Sequence, residues 1–135
     1  MTILINIDVP SLAEGESFYA AAFALIPGRR LGPDVLEMTG WPSPVYLLQK
    51  SAGTIGAGRD FRNYARHWTP LHLDIVVTDL GKALARAIEA GASLEQDASP
   101  APFGRIAMLS DPFGHGFCLI EFSGGGYDEM VGLEP

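Results

Sequence analysis

His72 and Glu121 are the two residues of this chain whose types and placement point to chemistry, because an internal repeat sets each opposite a less reactive counterpart. Residues 4 to 12, LINIDVPSL, align with residues 72 to 80, HLDIVVTDL, so His72 takes the place of Leu4. Residues 45 to 50, VYLLQK, align with residues 117 to 122, FCLIEF, so Glu121 takes the place of Gln49. Four equivalent positions thus hold a strong metal ligand, a carboxylate, a weakly ligating amide and a hydrocarbon. Even without a metal, an imidazole beside a carboxylate can move protons near neutral pH. The plainer alternative is a histidine hydrogen-bonded to Glu121 or Asp74 within a cleft, and a carboxylate that merely ends a strand.

The elements that must position these groups also come in two copies. From Thr2 to Val9 apolar and polar residues alternate as in a half-buried strand, with Ile3, Ile5, Ile7 and Val9 on one side. Ser11 and Glu14 have the spacing of a capping box, and Leu12, Tyr19, Phe23 and Ile26 can share a helix face that ends at Pro27-Gly28. Short strands follow at Arg29 to Leu31, Val35 to Met38 and Val45 to Lys50. The second copy alternates from Leu71 to Val77, caps a helix with Asp79 and stops it at Gly91. Its later strands are Ser93 to Gln96, Arg105 to Ser110 and Phe117 to Phe122. Module 1 therefore covers about residues 2–50, a linker 51–69, module 2 about 70–123, and a tail 124–135.

Alternation puts His72 on one face with Asp74 and Val76, and Glu121 on one face with Leu119 and Phe117, with Cys118 pointing the other way. Further candidates for contacting a ligand are Asp74, its repeat equivalent Asn6, the linker residues His67 and Trp68 that abut the strand of His72, and Phe117. Arg59, Arg62 and Arg66 lie among Phe61 and Tyr64; they are either a lid that grips an anion or a solvated surface. His115 follows the turn Asp111-Pro112-Phe113-Gly114, and Tyr127 sits on the tail, which either folds back or frays. Gly53, Gly56 and Gly58 do not make a dinucleotide fingerprint, since a basic stretch follows them and no apolar helix does.

Composition narrows the partners. The 135 residues suffice for one domain, with 47% hydrophobic and 19% charged residues, and a single cysteine excludes a disulfide framework or a cysteine-rich zinc site. The formal net charge of −7 argues against nucleic acid, whose binding depends on cationic contacts to phosphate. No secretion signal and no run of about 18 apolar residues is visible, so the expectation is a cytoplasmic protein that acts on a small molecule, with no membrane partner.

The duplicated strand-helix-three-strand unit, the His at the head of one module with a Glu near its end, and the segment DPFGHGFCLIEF together resemble the vicinal oxygen chelate superfamily. That group holds glyoxalase I, extradiol dioxygenases, and bleomycin and fosfomycin resistance proteins. The resemblance implies an α+β, glyoxalase-like fold of two tandem βαβββ modules forming an open cupped mixed sheet, and a homodimer. It also implies ligand positions in the first and last strands of each module, here Leu4, Gln49, His72 and Glu121. A divalent metal (zinc, nickel, iron or manganese) would then lie on His72, Glu121 and Gln49, with Glu121 and His72 as the catalytic pair of a lyase, isomerase or dioxygenase. Leu4 interrupts that set and favours the alternative, a metal-free protein that binds an antibiotic or metabolite.

Overall fold

The computed structural model describes residues 1–133, and the chain divides into two compact units, Met1–Ala65 and a second beginning at Arg66. Unit 1 runs β1 (Ile5–Val9), α1 (Leu12–Phe23), β2 (Ile26–Arg30), β3 (Val35–Thr39) and β4 (Val45–Gln49). Its sheet order is β1-β4-β3-β2, with β1 parallel to β4 and the other pairs antiparallel. Alternation explains which face is covered. Ile7, Val9, Leu36, Met38, Val45 and Leu47 are buried, and Leu12, Phe18, Tyr19 and Ala22 of the helix are buried with them. The helix can come this close because Gly15 has no side chain; a Cβ there would meet Leu47 and Val9 at 3.1 Å.

Ser11 caps α1 as its spacing predicts, its side chain accepting the Glu14 amide at 3.3 Å. The helix stops earlier than Pro27-Gly28, because Ala24 turns left-handed at φ 57°. Pro27 and Gly28 instead lie in β2, an edge strand whose register shifts between Pro27 and Arg30. An edge position tolerates a proline, which has no amide to offer a ladder. The stretch expected to be a plain linker carries a two-stranded hairpin, β5 (Ile55–Ala57) with β6 (Asp60–Phe61).

Unit 2 repeats the order: β7 (Leu73–Val76), α2 (Leu80–Ala90), β8 (Ser93–Ala101), β9 (Gly104–Ser110) and β10 (Gly116–Phe122). The sheet order is β7-β10-β9-β8, with β7 parallel to β10. Asp79 caps α2 by accepting the Lys82 amide at 3.0 Å, and Gly91 ends it at φ 121°, a conformation that side-chain-bearing residues rarely adopt. β8 runs past the expected Gln96 to Ala101. The fold is thus α+β, with the βαβββ unit occurring twice.

After β10 the tail forms a short 3-10 helix, Gly126–Met130. It is anchored there, because the Tyr127 ring packs edge-on against Phe122 and Phe103, at centroid distances of 4.9 and 5.2 Å. Residues 134 and 135 of the expected tail lie outside the described residues. Among the described residues no helix is long and apolar enough to cross a membrane.

Candidate functional site in unit 2

Strand register decides which side chains meet. In unit 2 Cys118 stands opposite Asp74 in the parallel pair β7 and β10, so the two share a face. His72, two residues before Asp74, turns to the same side, and its Nε2 lies 3.0 Å from Asp74 Oδ1. The His72 nitrogen, the Asp74 carboxylate oxygen and the Cys118 sulfur all fall within 4.8 Å of one another. His72 and Asp74 side chains are 50% and 39% exposed, whereas Cys118 is only 4% exposed. Burial, and then the neighbouring Asp74 carboxylate, push the Cys118 thiol up to about 11.

Glu121 is three residues from Cys118 on the same strand, and alternation therefore sends it to the opposite, helix-bearing face. There its Oε2 accepts the Leu80 amide at 2.7 Å, the first amide of α2. Gln49 does the same in unit 1, its Oε1 accepting the Leu12 amide at 2.9 Å at the start of α1. The first amides of a helix lack an intrahelical partner, and an oxygen from a neighbouring strand satisfies one of them. The structure thus brings His72 together with Asp74 and Cys118 and sets Glu121 on the other side of its sheet. Within unit 2 the expected ligands His72 and Glu121 do not share a face of the sheet, so the two side chains do not meet at one ion there.

A pocket of about 100 Å³ opens beside this cluster, lined by Arg66, Trp68, His72, Glu95, Met108 and Cys118 among others. Phe117 borders it too, but its side chain is buried and turns to the helix side with Leu119. Trp68 is 78% exposed. Of the other candidates, Asn6 is exposed on β1 opposite Tyr46, and His67 is exposed, its carbonyl accepting from Arg66 Nη1.

Two of the three linker arginines, Arg62 and Arg66, are tied to carboxylates. Arg62 donates to Asp8 at 2.8 Å, and Arg66 grips Glu95 through two bonds of 2.6 and 3.0 Å. That second pair holds the Glu95 carboxyl below its ordinary range. Arg66 reaches it by crossing over Gly116, where a Cβ would run into the guanidinium. Neither Glu95 nor Gly116 carries a sequence signal for this role, because their proximity arises only once β8, β9 and β10 are paired.

His115 is bound up with its own turn. Asp111 is 3% exposed and accepts from the Phe113 amide at 2.8 Å, the His115 amide at 3.0 Å and His115 Nδ1 at 2.7 Å. In unit 1 a second polar network joins Arg29, Glu37 and Tyr46. Glu37, 8% exposed, receives Arg29 Nε and Nη2 at 3.0 and 2.7 Å and the Tyr46 hydroxyl at 3.0 Å. The Arg29 bonds are the main cause of a carboxyl lowered to about 2.

Two βαβββ units with this order of strands define a family, and the chain belongs to it: the glyoxalase-like domain matches residues 4–120. Among relatives, the anthracycline biosynthesis protein DnrV of Streptomyces peucetius is 31% identical over 124 residues. The match covers 90% of this chain and 41% of DnrV, so the chain spans about two fifths of that relative's length. Two solved structures share the fold. The fosfomycin resistance protein FosX of Listeria monocytogenes superposes with a TM-score of 0.71 at 14% identity, covering 97% of this chain and 98% of FosX. TnmS3, an antibiotic binding protein from Streptomyces sp. CB03234, gives 0.62 at 20% identity, covering 91% of this chain and 96% of its own.

Proposed function

We propose that this protein binds a small, planar, oxygenated aromatic molecule on the unit 2 face beside Trp68, as a binding protein and not as a catalyst. The observation that carries this reading is the 78% exposure of the Trp68 side chain at the rim of a pocket. A large exposed indole is costly to leave in water, and a flat ligand would cover it by stacking. The pocket holds about 100 Å³, less than the roughly 150 Å³ that takes up a benzene ring. It therefore receives one edge of a ring system while the remainder lies against the indole. Met108 supplies apolar contact, and the Arg66 and Glu95 pair offers polar groups to ligand oxygens.

The relatives support the same ligand class, since one is named for anthracycline biosynthesis and one for antibiotic binding. The catalytic reading through His72 and Glu121 loses its second group, because Glu121 lies on the helix side of the sheet. A homodimer belongs to the proposal as well: Ile3, Leu4, Leu71 and Val76 stay exposed in or beside the edge strands β1 and β7. Light scattering at micromolar concentration tests it, and a monomer mass would remove it.

Tryptophan fluorescence tests the binding reading. Trp41 packs on Phe23 in unit 1 at a centroid distance of 5.3 Å and serves as the internal reference. Titration with an anthracycline should quench the wild type and a Trp41→Phe variant, whereas Trp68→Phe should lose most of the saturable quenching. No saturable quenching up to about 1 mM, where affinity would amount to only about −4 kcal/mol, or full quenching in Trp68→Phe, would overturn the proposal.

A further inference from the structure

The hairpin of β5 and β6 is a sheet of two strands with no third strand beside it. An isolated pair this short is marginal in water unless packing covers one of its faces. Its cross-strand partners Ile55 and Phe61 are nevertheless 59% and 67% exposed. Arg59 sits in the turn between them, exposed and, among the described residues, without a side-chain partner. The hairpin is still held in one place. Arg62, just beyond β6, donates to Asp8 at 2.8 Å, to Thr54 Oγ1 at 3.2 Å and to the Ile55 carbonyl at 2.6 Å, and its amide donates to the Thr54 carbonyl at 2.7 Å.

The tail repeats this construction with the opposite sign. Tyr127, Met130, Val131 and Leu133 are exposed around its 3-10 helix. The helix is held in place too, by the Tyr127 ring on Phe122 and Phe103 and by Glu129, whose Oε1 accepts the Gly125 amide at 3.0 Å. Asp128 is exposed and has no side-chain partner among the described residues. One surface therefore sets an unpaired cation beside apolar side chains, and the other an unpaired carboxylate beside apolar side chains. Both are fixed before anything covers them, so docking one on the other freezes little further freedom.

We propose that the hairpin of one copy docks on the tail helix of a second copy, with Arg59 against the partner's Asp128, and Ile55 and Phe61 against the partner's Met130 and Val131. The inference rests on the homodimer proposed above and names the contact that makes it. Charge favours this occupant. Residues 50–66 hold the cations Lys50, Arg59, Arg62 and Arg66 and the single carboxylate Asp60, in a chain whose net charge is −7, so the rest of the chain is more acidic still. A second copy thus brings an acidic surface to a basic segment. Docking made twice about a two-fold axis closes the pair, each copy giving one hairpin and one tail. Because an exposed ion pair contributes to each contact, association weakens as salt rises.

A charge exchange tests the contact on the full chain, by sedimentation at micromolar concentration and low salt. Arg59→Glu sets carboxylate against carboxylate, and Asp128→Arg sets guanidinium against guanidinium. Each variant alone should dissociate at least tenfold more readily than wild type, with an unchanged circular dichroism spectrum, since both positions are exposed. Mixed in equal amounts, the two variants should form dimers again, because both contacts of the mixed pair then join opposite charges. A contact made within one chain could not be rescued by mixing. Phe61→Ser should weaken the dimer at low and high salt alike. A monomeric wild type would overturn this proposal together with the homodimer. A dimer untouched by either exchange would overturn the hairpin and tail contact alone, and so would variants that dissociate and stay monomeric when mixed.

Discussion

Glu121 and Gln49 perform the same task at equivalent points of the two modules: each lies at the end of a strand beside a helix, Gln49 last in β4 and Glu121 next to last in β10, and accepts that helix's first amide, Leu80 at 2.7 Å and Leu12 at 2.9 Å. The pairing that the repeat makes visible is therefore one way of starting a helix, used twice. Removing a side chain that satisfies a helix-start amide costs about 1 kcal/mol. Glu121→Ala should lower the stability of the chain by about that much, seen as a reduced urea midpoint at unchanged slope. Glu121→Gln should cost less, because the amide oxygen keeps the bond. Equal losses in both variants would show that the carboxylate charge, and not the bond, is what stabilises α2.

The sequence makes the two modules legible because each carries its own period. Alternation marks the strands, Ser11 and Asp79 mark the helix starts, and one pattern recurs. It also places His72 with Asp74, and Glu121 with Leu119, each correct within its own strand. What it cannot supply is the register between strands. The face that β10 shares with His72 depends on Cys118 standing opposite Asp74, and a slip of one residue would bring Glu121 to that face instead. Helix ends are similarly hidden. Pro27 and Gly28 look like a stop, but Ala24, an alanine in a left-handed conformation, ends the helix with no sequence mark of its own.

Gly116 is predicted to govern the shape of the pocket through Arg66. A methyl group at this position would occupy the space of the guanidinium, so Gly116→Ala should displace Arg66 and break its two bonds to Glu95. The pair is partly exposed, and such pairs contribute about 0.2–1 kcal/mol, so the loss of stability should stay small. Ligand quenching of Trp68 should change far more than the urea midpoint. Arg66→Lys should act in the same direction, since an ammonium cannot reproduce the bidentate fork. Quenching identical to wild type in both variants would remove Arg66 from the binding face.

Glu37 should make unit 1 sensitive to acid. Its carboxyl is lowered from 4.5 to about 2, chiefly by the bonds from Arg29, and a group with a depressed folded value stabilises the fold above its unfolded value. That contribution is complete above about pH 4.5 and disappears as pH falls toward 2. Glu37→Gln should therefore flatten the stability profile between those limits while leaving its slope above pH 6 unchanged. Urea midpoints measured across pH 2 to 7 check the sign. A variant that steepens the profile would contradict the assignment.

Asp111 should be the most sensitive residue of the turn that leads into β10. It is almost wholly buried and accepts from two backbone amides and one imidazole nitrogen. Replacing it with alanine leaves the Phe113 and His115 amides without their partner, and a buried donor left unsatisfied costs about 1–3 kcal/mol. Asp111→Ala should thus destabilise the chain by about 2–3 kcal/mol, well beyond the loss expected at Glu121. Asp111→Asn separates the two components: its Oδ1 can still accept both amides, but its NH₂ group meets His115 Nδ1 without the carboxylate's charge. A loss of about 1 kcal/mol is expected for Asn, matched by His115→Ala, which removes only the imidazole bond. If Asn proves as damaging as Ala, the charge facing His115 holds the turn, and the backbone amides are secondary to it.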